Sequence, residues 1–188
     1  MPFTVGTTRV LLDSSAFFYY CDGGQVINLA GYLGKRAHIT LEVYDELQRN
    51  SSRYTDLRTL ERLRWPPEEN RLELTSELKG ELLDILRALR QPGEHELTHA
   101  GEVSTVLMAE HLGGELVVLE DADGKRLAAR RGVPRLSTAM LAAEMVAVEF
   151  FGEDEGFRVY DAATPADVGE DEWKAALSRA RAELRPSA

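Results

Sequence analysis

Short apolar runs alternate with longer amphipathic runs along this chain. Five of the short runs have the apolar or alternating character of β-strands, and most of them end at a polar or acidic residue. They are RVLLDSS (9–15), HIT (38–40), RLELT (71–75), ELVVLE (115–120) and FRVYDA (157–162). Strands that alternate with helices usually pair in parallel, and the helices cover both faces of the sheet. The pattern therefore predicts an α/β protein with a three-layer α/β/α architecture and a central, mostly parallel sheet.

The segments between the strands have apolar residues at helical spacing. Predicted helices cover residues 26–34, 41–50, 54–65, 76–90, 101–112, 124–132, 137–151 and 171–185. Ser76 is expected to cap the fourth of these helices. In open parallel sheets, ligands bind beyond the carboxyl ends of the strands. The residues that directly follow the apolar runs are therefore the first candidates for a functional site.

The chain is acidic, with 32 Asp and Glu residues, 22 Lys and Arg residues and a formal net charge of −10. Residues 149–174 contain nine acids and two bases, so most of the excess lies in this stretch. We interpret it as a solvated surface connection, with contact to a basic partner as the alternative. An acidic surface repels the phosphates of nucleic acids. Because the charge is concentrated in one stretch, the rest of the chain remains compatible with a nucleic-acid partner.

The sequence favours an intracellular setting. It contains no run of the roughly 18–20 apolar residues that cross a bilayer, and its first residues lack the pattern of a signal peptide. Cys21 is the single cysteine, so an internal disulfide is excluded and a reducing compartment is favoured. We therefore expect a cytoplasmic protein with no membrane partner.

Acidic side chains occupy equivalent positions around the predicted sheet. Asp13 and Asp121 each follow a buried strand, Glu102 opens a helix, and Glu46 lies on the helix after the second strand. Carboxylates that converge repel one another unless a cation compensates their charge. Oxygen ligands suit a hard divalent ion such as Mg²⁺ or Mn²⁺. The pattern therefore predicts a metal site, with Glu120 as an alternative to Asp121 because both residues end the same run.

Three segments resemble the PIN domain, a family of metal-dependent ribonucleases. VLLDSSAFF (10–18) resembles the opening strand of that family, its Asp and its small hydroxyl residue, and LEVYDELQR (41–49) resembles its second helix. HAGEVSTVLMAEHLGGELVVLEDADGKRLAARRGVP (99–134) resembles its Gly-Glu helix, central strand, acidic turn and basic helix. The resemblance covers about residues 8–150 in order.

The resemblance implies a function and a set of site residues. The metal ligands would be Asp13, Glu102, Asp121 and Asp123, and Glu46 would complete the catalytic set. The activity would be hydrolysis of RNA phosphodiester bonds with Mg²⁺ or Mn²⁺, in an RNA-processing nuclease or in the toxin of a toxin–antitoxin pair. An antitoxin protein and a second copy of the chain are candidate partners. Residues 1–150 would form the nuclease domain, and residues 151–188 an acidic extension with a strand and a helix, packed on the same domain.

Basic residues flank the predicted site on two sides. Arg49 and Arg53 follow Glu46, and Lys125 and Arg126 follow the acidic turn. Solvated helix faces with ion pairs would explain such clusters. The functional alternative is that these four residues bind RNA and guide its backbone toward the metal.

A second motif leads to a different hypothesis. HELTH (95–99) spells H-E-x-x-H, the helical motif in which two histidines bind Zn²⁺ and the glutamate acts as a base. In a zinc metallopeptidase these residues would be His95, Glu96 and His99. Pro92-Gly93 directly precedes the motif and disfavours a helix there. The third hypothesis is a PIN-like module that binds RNA or protein without cleaving it.

Overall fold

A computed structural model describes residues 9–93, 95, 97–164 and 170–184 of the chain. It confirms the predicted α/β class, with a five-stranded sheet flanked by helices. The strands are β1 (Val10–Leu12), β2 (Ala37–Thr40), β3 (Arg71–Leu72), β4 (Leu116–Val118) and β5 (Arg135–Leu136). Every pairing between neighbouring strands is parallel, in the order β3-β2-β1-β4-β5.

Ten α-helices connect and cover these strands within the described residues. They are α1 (Ser14–Asp22), α2 (Val26–Leu33), α3 (Leu41–Asn50), α4 (Thr55–Arg62), α5 (Ser76–Leu89), α6 (Ala100–His111), α7 (Ala122–Arg130), α8 (Thr138–Ala147), α9 (Glu153–Ala163) and α10 (Glu170–Leu184). Single 3₁₀ turns cover Gly34–Arg36 and Glu68–Asn70. None of these helices is both long and apolar enough to cross a membrane.

Side chains on alternate faces of the sheet build two separate cores. Val10 and Leu12 pack with α1, α2 and α8, whereas Leu11 packs with α5, α6 and α7. β4 repeats this division, since Val117 faces the second core and Val118 the first. A strand that is buried on both faces is a continuous apolar run, as VLL and LVV are. The three-layer α/β/α arrangement follows from this burial.

The predicted strand at 157–162 is wrong, because these residues belong to helix α9. The residues of α9 that face inward are Gly156, Val159 and Tyr160, which have helical spacing. Tyr160 packs with α8 and α10 in a third apolar cluster that includes Trp173, whereas Val159 belongs to the first core. The β-branched and aromatic residues that suggested a strand are thus the buried face of a helix.

Acids in the carboxyl-terminal stretch begin two helices. Glu153, Asp154 and Glu155 form the first turn of α9, and Glu170, Asp171 and Glu172 form the first turn of α10. Negative charge at the amino end of a helix is stabilised by the helix dipole. Six of the nine acids in residues 149–174 therefore have a local structural role. Asp167 lies outside the described residues.

Three further details differ from the sequence-based expectation. Residues 14–22 form helix α1, and residues 135–136 form the edge strand β5; neither element is evident from the sequence pattern. Thr75, not Ser76, caps α5, because its Oγ1 accepts a hydrogen bond from the Leu78 N–H. The division into a nuclease domain and an extension stays a prediction, although α9 and α10 pack on α8.

Candidate metal centre

The carboxyl ends of the strands bring four acidic side chains to one edge of the sheet. Asp13 follows β1 directly and is the N-cap of α1. Glu46 lies on α3, which begins immediately after β2, and Asp121 is the N-cap of α7, shortly after β4. Glu102 is in the first turn of α6. The predicted placement beyond the strand ends is therefore the placement that the structure has.

Asp13 is buried at this edge of the sheet, and only 5% of the residue is exposed. Its Oδ2 accepts a hydrogen bond from Ser15 Oγ at 2.7 Å. Burial is the main reason that the pKa of Asp13 rises to about 6, and the neighbouring Glu46 carboxylate raises it further, although the hydrogen bond from Ser15 opposes both. A carboxylate that is costly to ionise in this way would be stabilised by a cation.

Gly101 leaves room for Asp13 and Glu46 to approach each other. A Cβ atom added at Gly101 would lie 2.9 Å from Asp13 Oδ1 and 3.0 Å from Glu46 Oε2. Both distances are shorter than normal contacts, so the two carboxylates occupy the space that a side chain would fill. The small residue in the Gly-Glu helix therefore has a steric role at this site.

Glu102 is 7% exposed and lies between the other acids. Burial, together with the charge of Asp121 and a hydrogen bond to it, raises the pKa of Glu102 to about 9; the charge of Asp13 adds to the rise. Glu102 Oε2 accepts a hydrogen bond from the Gly124 N–H at 3.2 Å. The raised pKa favours the protonated form of Glu102 without a cation, and in that form Glu102 can donate a hydrogen bond to Asp121.

Asp121 is more exposed than Glu102 and accepts several hydrogen bonds. Burial raises its pKa, but hydrogen bonds from the Asp123 N–H, from Glu102 and from the Gly124 N–H outweigh burial and lower the pKa below its ordinary value. The bond from the Asp123 N–H is 2.6 Å long. The pKa values of the neighbouring Glu102 and Asp121 are thus shifted in opposite directions.

His99 completes the cluster, and the sequence did not assign it there. Its Nδ1 contacts Glu102 Oε1. In the described part of the chain, His99, Glu102 and Asp121 form a group whose ligand atoms all lie within 4.8 Å of one another. Asp13 is close enough to this group for its charge to raise the pKa of Glu102.

Two other acids of the turn have different partners. Glu120 Oε1 accepts a hydrogen bond from the Thr138 N–H at 2.6 Å, and Glu120 Oε2 pairs with Lys125 Nζ at 2.7 Å. Both oxygens are thus used to hold α7 and α8 in place, which favours Asp121 over Glu120 as the ligand. Asp123 pairs with Arg126 and is not part of the group of three.

Predicted RNA-binding residues lie at the surface around the centre. Lys125 and Arg126 form ion pairs with neighbouring acids. The guanidinium of Arg53 stacks over the Tyr54 ring at 5.1 Å, and Arg49 lines a cleft next to Glu46. Arg49 and Arg53 are exposed, so they remain candidates for contact with phosphate.

The H-E-x-x-H motif does not have the helix that a zinc peptidase needs. Residues 97–99 form a turn, and α6 begins only at Ala100. His95 is exposed and its Nδ1 accepts a hydrogen bond from the Leu97 N–H, whereas His99 faces Glu102. Glu96 lies outside the described residues. The two histidines are therefore not presented by one helical face.

Two clefts adjoin the acidic cluster and share none of their lining residues. The first, of about 410 Å³, is lined by Glu42, Glu46, Arg49, Asn50, His95 and residues 97–101; we call it the α3 cleft. The second, of about 690 Å³, is lined by Ser15, Tyr19, Lys125 and residues 120–122 and 162–164; we call it the α9 cleft. The second cleft shows that the carboxyl-terminal extension contributes a wall next to the site.

Comparison with protein-family models, with curated proteins and with solved structures finds no match to this chain. The arguments for a function therefore come from the sequence and from the geometry of the centre.

Gly101→Ala is expected to destabilise the protein, although alanine favours helices over glycine by about 1 kcal/mol. The added methyl group would collide with Asp13 and Glu46, and overpacking costs roughly 1–3 kcal/mol. Gly80→Ala is the matched control, because Gly80 lies in α5 with nothing near the added atom. Gly80→Ala should raise the melting temperature in a thermal unfolding experiment, and Gly101→Ala should lower it. Equal gains in both variants would contradict the steric role of Gly101.

Proposed function

We propose that the chain is a divalent-cation-dependent endoribonuclease of the PIN type. The observation that carries this proposal is the convergence of four carboxyl groups, from four separate elements, on the carboxyl edge of a parallel sheet. Two of them, Asp13 and Glu102, are buried and have raised pKa values. Such an arrangement is unfavourable by itself, and a cation with oxygen ligands would compensate it.

The residues of the centre fit a divalent cation. Asp13, Glu102 and Asp121 would hold it, and Glu46, across Gly101 from Asp13, would act at its edge. A bound Mg²⁺ or Mn²⁺ would polarise the phosphodiester and favour deprotonation of the attacking water. The two acids with raised pKa values give up their protons as the cation binds, so binding should strengthen as the pH rises.

The surroundings of the centre fit a polymeric substrate. The α3 cleft is lined by Glu46 and the α9 cleft by Asp121, so a strand bound in either cleft would reach an acid of the centre. Exposed Arg49 lines the first cleft, and Lys125 lines the second. Arginine and lysine in such positions bind the phosphate backbone without reading sequence. A role as the toxin of a toxin–antitoxin pair is a more specific form of this proposal.

Glu46→Gln should lower cation-dependent RNA cleavage by roughly 10- to 100-fold, the usual effect of removing a group that supports a metal site. The assay uses a labelled, unstructured RNA with Mn²⁺, Mg²⁺ or EDTA. Asp45→Asn is the matched control, because Asp45 is the exposed neighbour of Glu46 on α3. We expect wild type and Asp45→Asn to cleave only when a cation is present.

Other outcomes of that assay would contradict the proposal, and two of them would indicate a different function. RNA that is bound but not cleaved with any cation would indicate a binding module. Zinc-dependent cleavage of a protein substrate, lost in His95→Ala, would indicate a peptidase. Cleavage that persists in EDTA would contradict the metal centre.

A further inference from the structure

His99 places an imidazole nitrogen among the carboxyl groups of the candidate metal centre. Its side chain is 18% exposed, and its ligand atom lies within 4.8 Å of those of Glu102 and Asp121. Bonds from a divalent cation to nitrogen or oxygen are about 2.0–2.3 Å long, so two ligands of one ion lie at most about 4–5 Å apart. The three side chains are thus close enough to bind the same ion after small shifts.

The chemistry of the ligand atoms limits which ion would be preferred. Mg²⁺ binds oxygen and keeps several waters, whereas imidazole suits first-row transition-metal ions. We infer that His99 is a ligand of the bound cation and that the site selects a first-row transition-metal ion, such as Mn²⁺, over Mg²⁺. This inference rests on the proposed function, because it concerns the same metal centre.

The local backbone directs the imidazole toward the centre. His99 is the N-cap of α6 but makes no capping hydrogen bond with its side chain. Its φ of 71° lies in the left-handed region, which is uncommon for a residue with a side chain. In this conformation the ring contacts Glu102, three residues later, and does not cap the first turn of α6. Its contact is therefore with a metal-ligating group and not with the helix end.

Calorimetric titration of the cation-free protein with MnCl₂ and with MgCl₂ tests the inference. His99→Asn is the informative variant, because asparagine tolerates the left-handed conformation and the backbone can stay unchanged. We expect wild type to bind Mn²⁺ more tightly than Mg²⁺. In His99→Asn, Mn²⁺ affinity should fall by roughly 10- to 100-fold, with a much smaller change for Mg²⁺. His95→Asn is the matched control and should bind both cations as wild type does.

Pulsed electron paramagnetic resonance of bound Mn²⁺ provides a direct readout. Wild type and His95→Asn should show the ¹⁴N coupling of a coordinated imidazole. Mn²⁺ bound to wild type without this coupling overturns the inference while leaving the metal centre in place. Equal losses of Mn²⁺ and Mg²⁺ affinity in His99→Asn also overturn it, because His99 would then act only by positioning Glu102. A wild type that binds neither cation overturns the proposed function together with the inference.

Discussion

Cation-free protein carrying Glu102→Gln is expected to be more stable than the wild type at about pH 8. The pKa of Glu102 is about 9 in the folded protein, against an ordinary value of 4.5, and that of Asp13 is about 6, against 3.8. Between about pH 4 and pH 9, the folded state therefore binds more protons than the unfolded state. Stability of the wild type must therefore fall as the pH rises from about 4 toward 9.

The size of this effect on stability follows from the shifts in pKa. One pKa unit corresponds to about 1.4 kcal/mol, so the net shift of the Asp13 pKa, in which burial is the largest cause, corresponds to a loss of about 3 kcal/mol of stability above pH 6. The larger shift of Glu102 is partly offset by Asp121, whose pKa is lowered by the same hydrogen bond. Glutamine is neutral at every pH and can still donate to Asp121. We expect a gain of about 3 kcal/mol at pH 8, or roughly 6–12 °C in melting temperature.

Thermal unfolding at several pH values, in a chelator and then with Mn²⁺, measures this effect. Glu110→Gln is the matched control, because Glu110 is an exposed acid near the other end of α6. Its loss should change stability by about 0.5 kcal/mol or less. Mn²⁺ should stabilise wild type most at high pH and should stabilise Glu102→Gln much less. Wild-type stability that stays level or rises between pH 6 and 9 would show that these two acids are not held as described.

The edge of the sheet at which the acidic cluster lies could be predicted, because it depends on which strands are buried. Asp13 and Asp121 follow apolar runs that can only be interior strands, and parallel strands place such residues at a common edge. For Glu102 and Glu46 the pattern is weaker evidence, since an acid in a helix is more often a surface charge, and the resemblance adds to it. The choice between Glu120 and Asp121 needed the structure, because it depends on contacts with Lys125 and with α8.

The contact of His99 with Glu102 could not be predicted from local sequence. Its spacing from His95 suggested one helical face, but the helix begins only after His99. His99 has a left-handed backbone conformation and contacts Glu102, and the sequence pattern indicates neither feature. Helix α9 was missed for a related reason: its inward residues become a helical face only because the first core and the cluster with α8 and α10 bury them. In both cases the tertiary contact decides what the local pattern leaves open.

Asp13→Asn is expected to lower cation-dependent RNA cleavage by roughly 100- to 1,000-fold, the usual effect of removing one preorganised electrostatic contact. The substitution removes charge but leaves the shape of the side chain, and the amide oxygen can still accept the hydrogen bond from Ser15 Oγ. The measurement is the initial rate on a labelled RNA with Mn²⁺, for proteins purified in parallel. Asp22→Asn is the matched control, since Asp22 is the exposed acid at the other end of α1.

The same variant should gain stability while it loses activity. Amidation removes a carboxylate that is costly to bury, so Asp13→Asn should melt above the wild type at about pH 8 without a cation. A carboxylate retained for the fold alone would show the opposite result, with lower stability after substitution. Natural sites keep such unfavourable groups where function requires them. Cleavage by Asp13→Asn at the wild-type rate would assign the activity to other residues, whereas opposite changes in rate and stability would identify Asp13 as part of the metal centre.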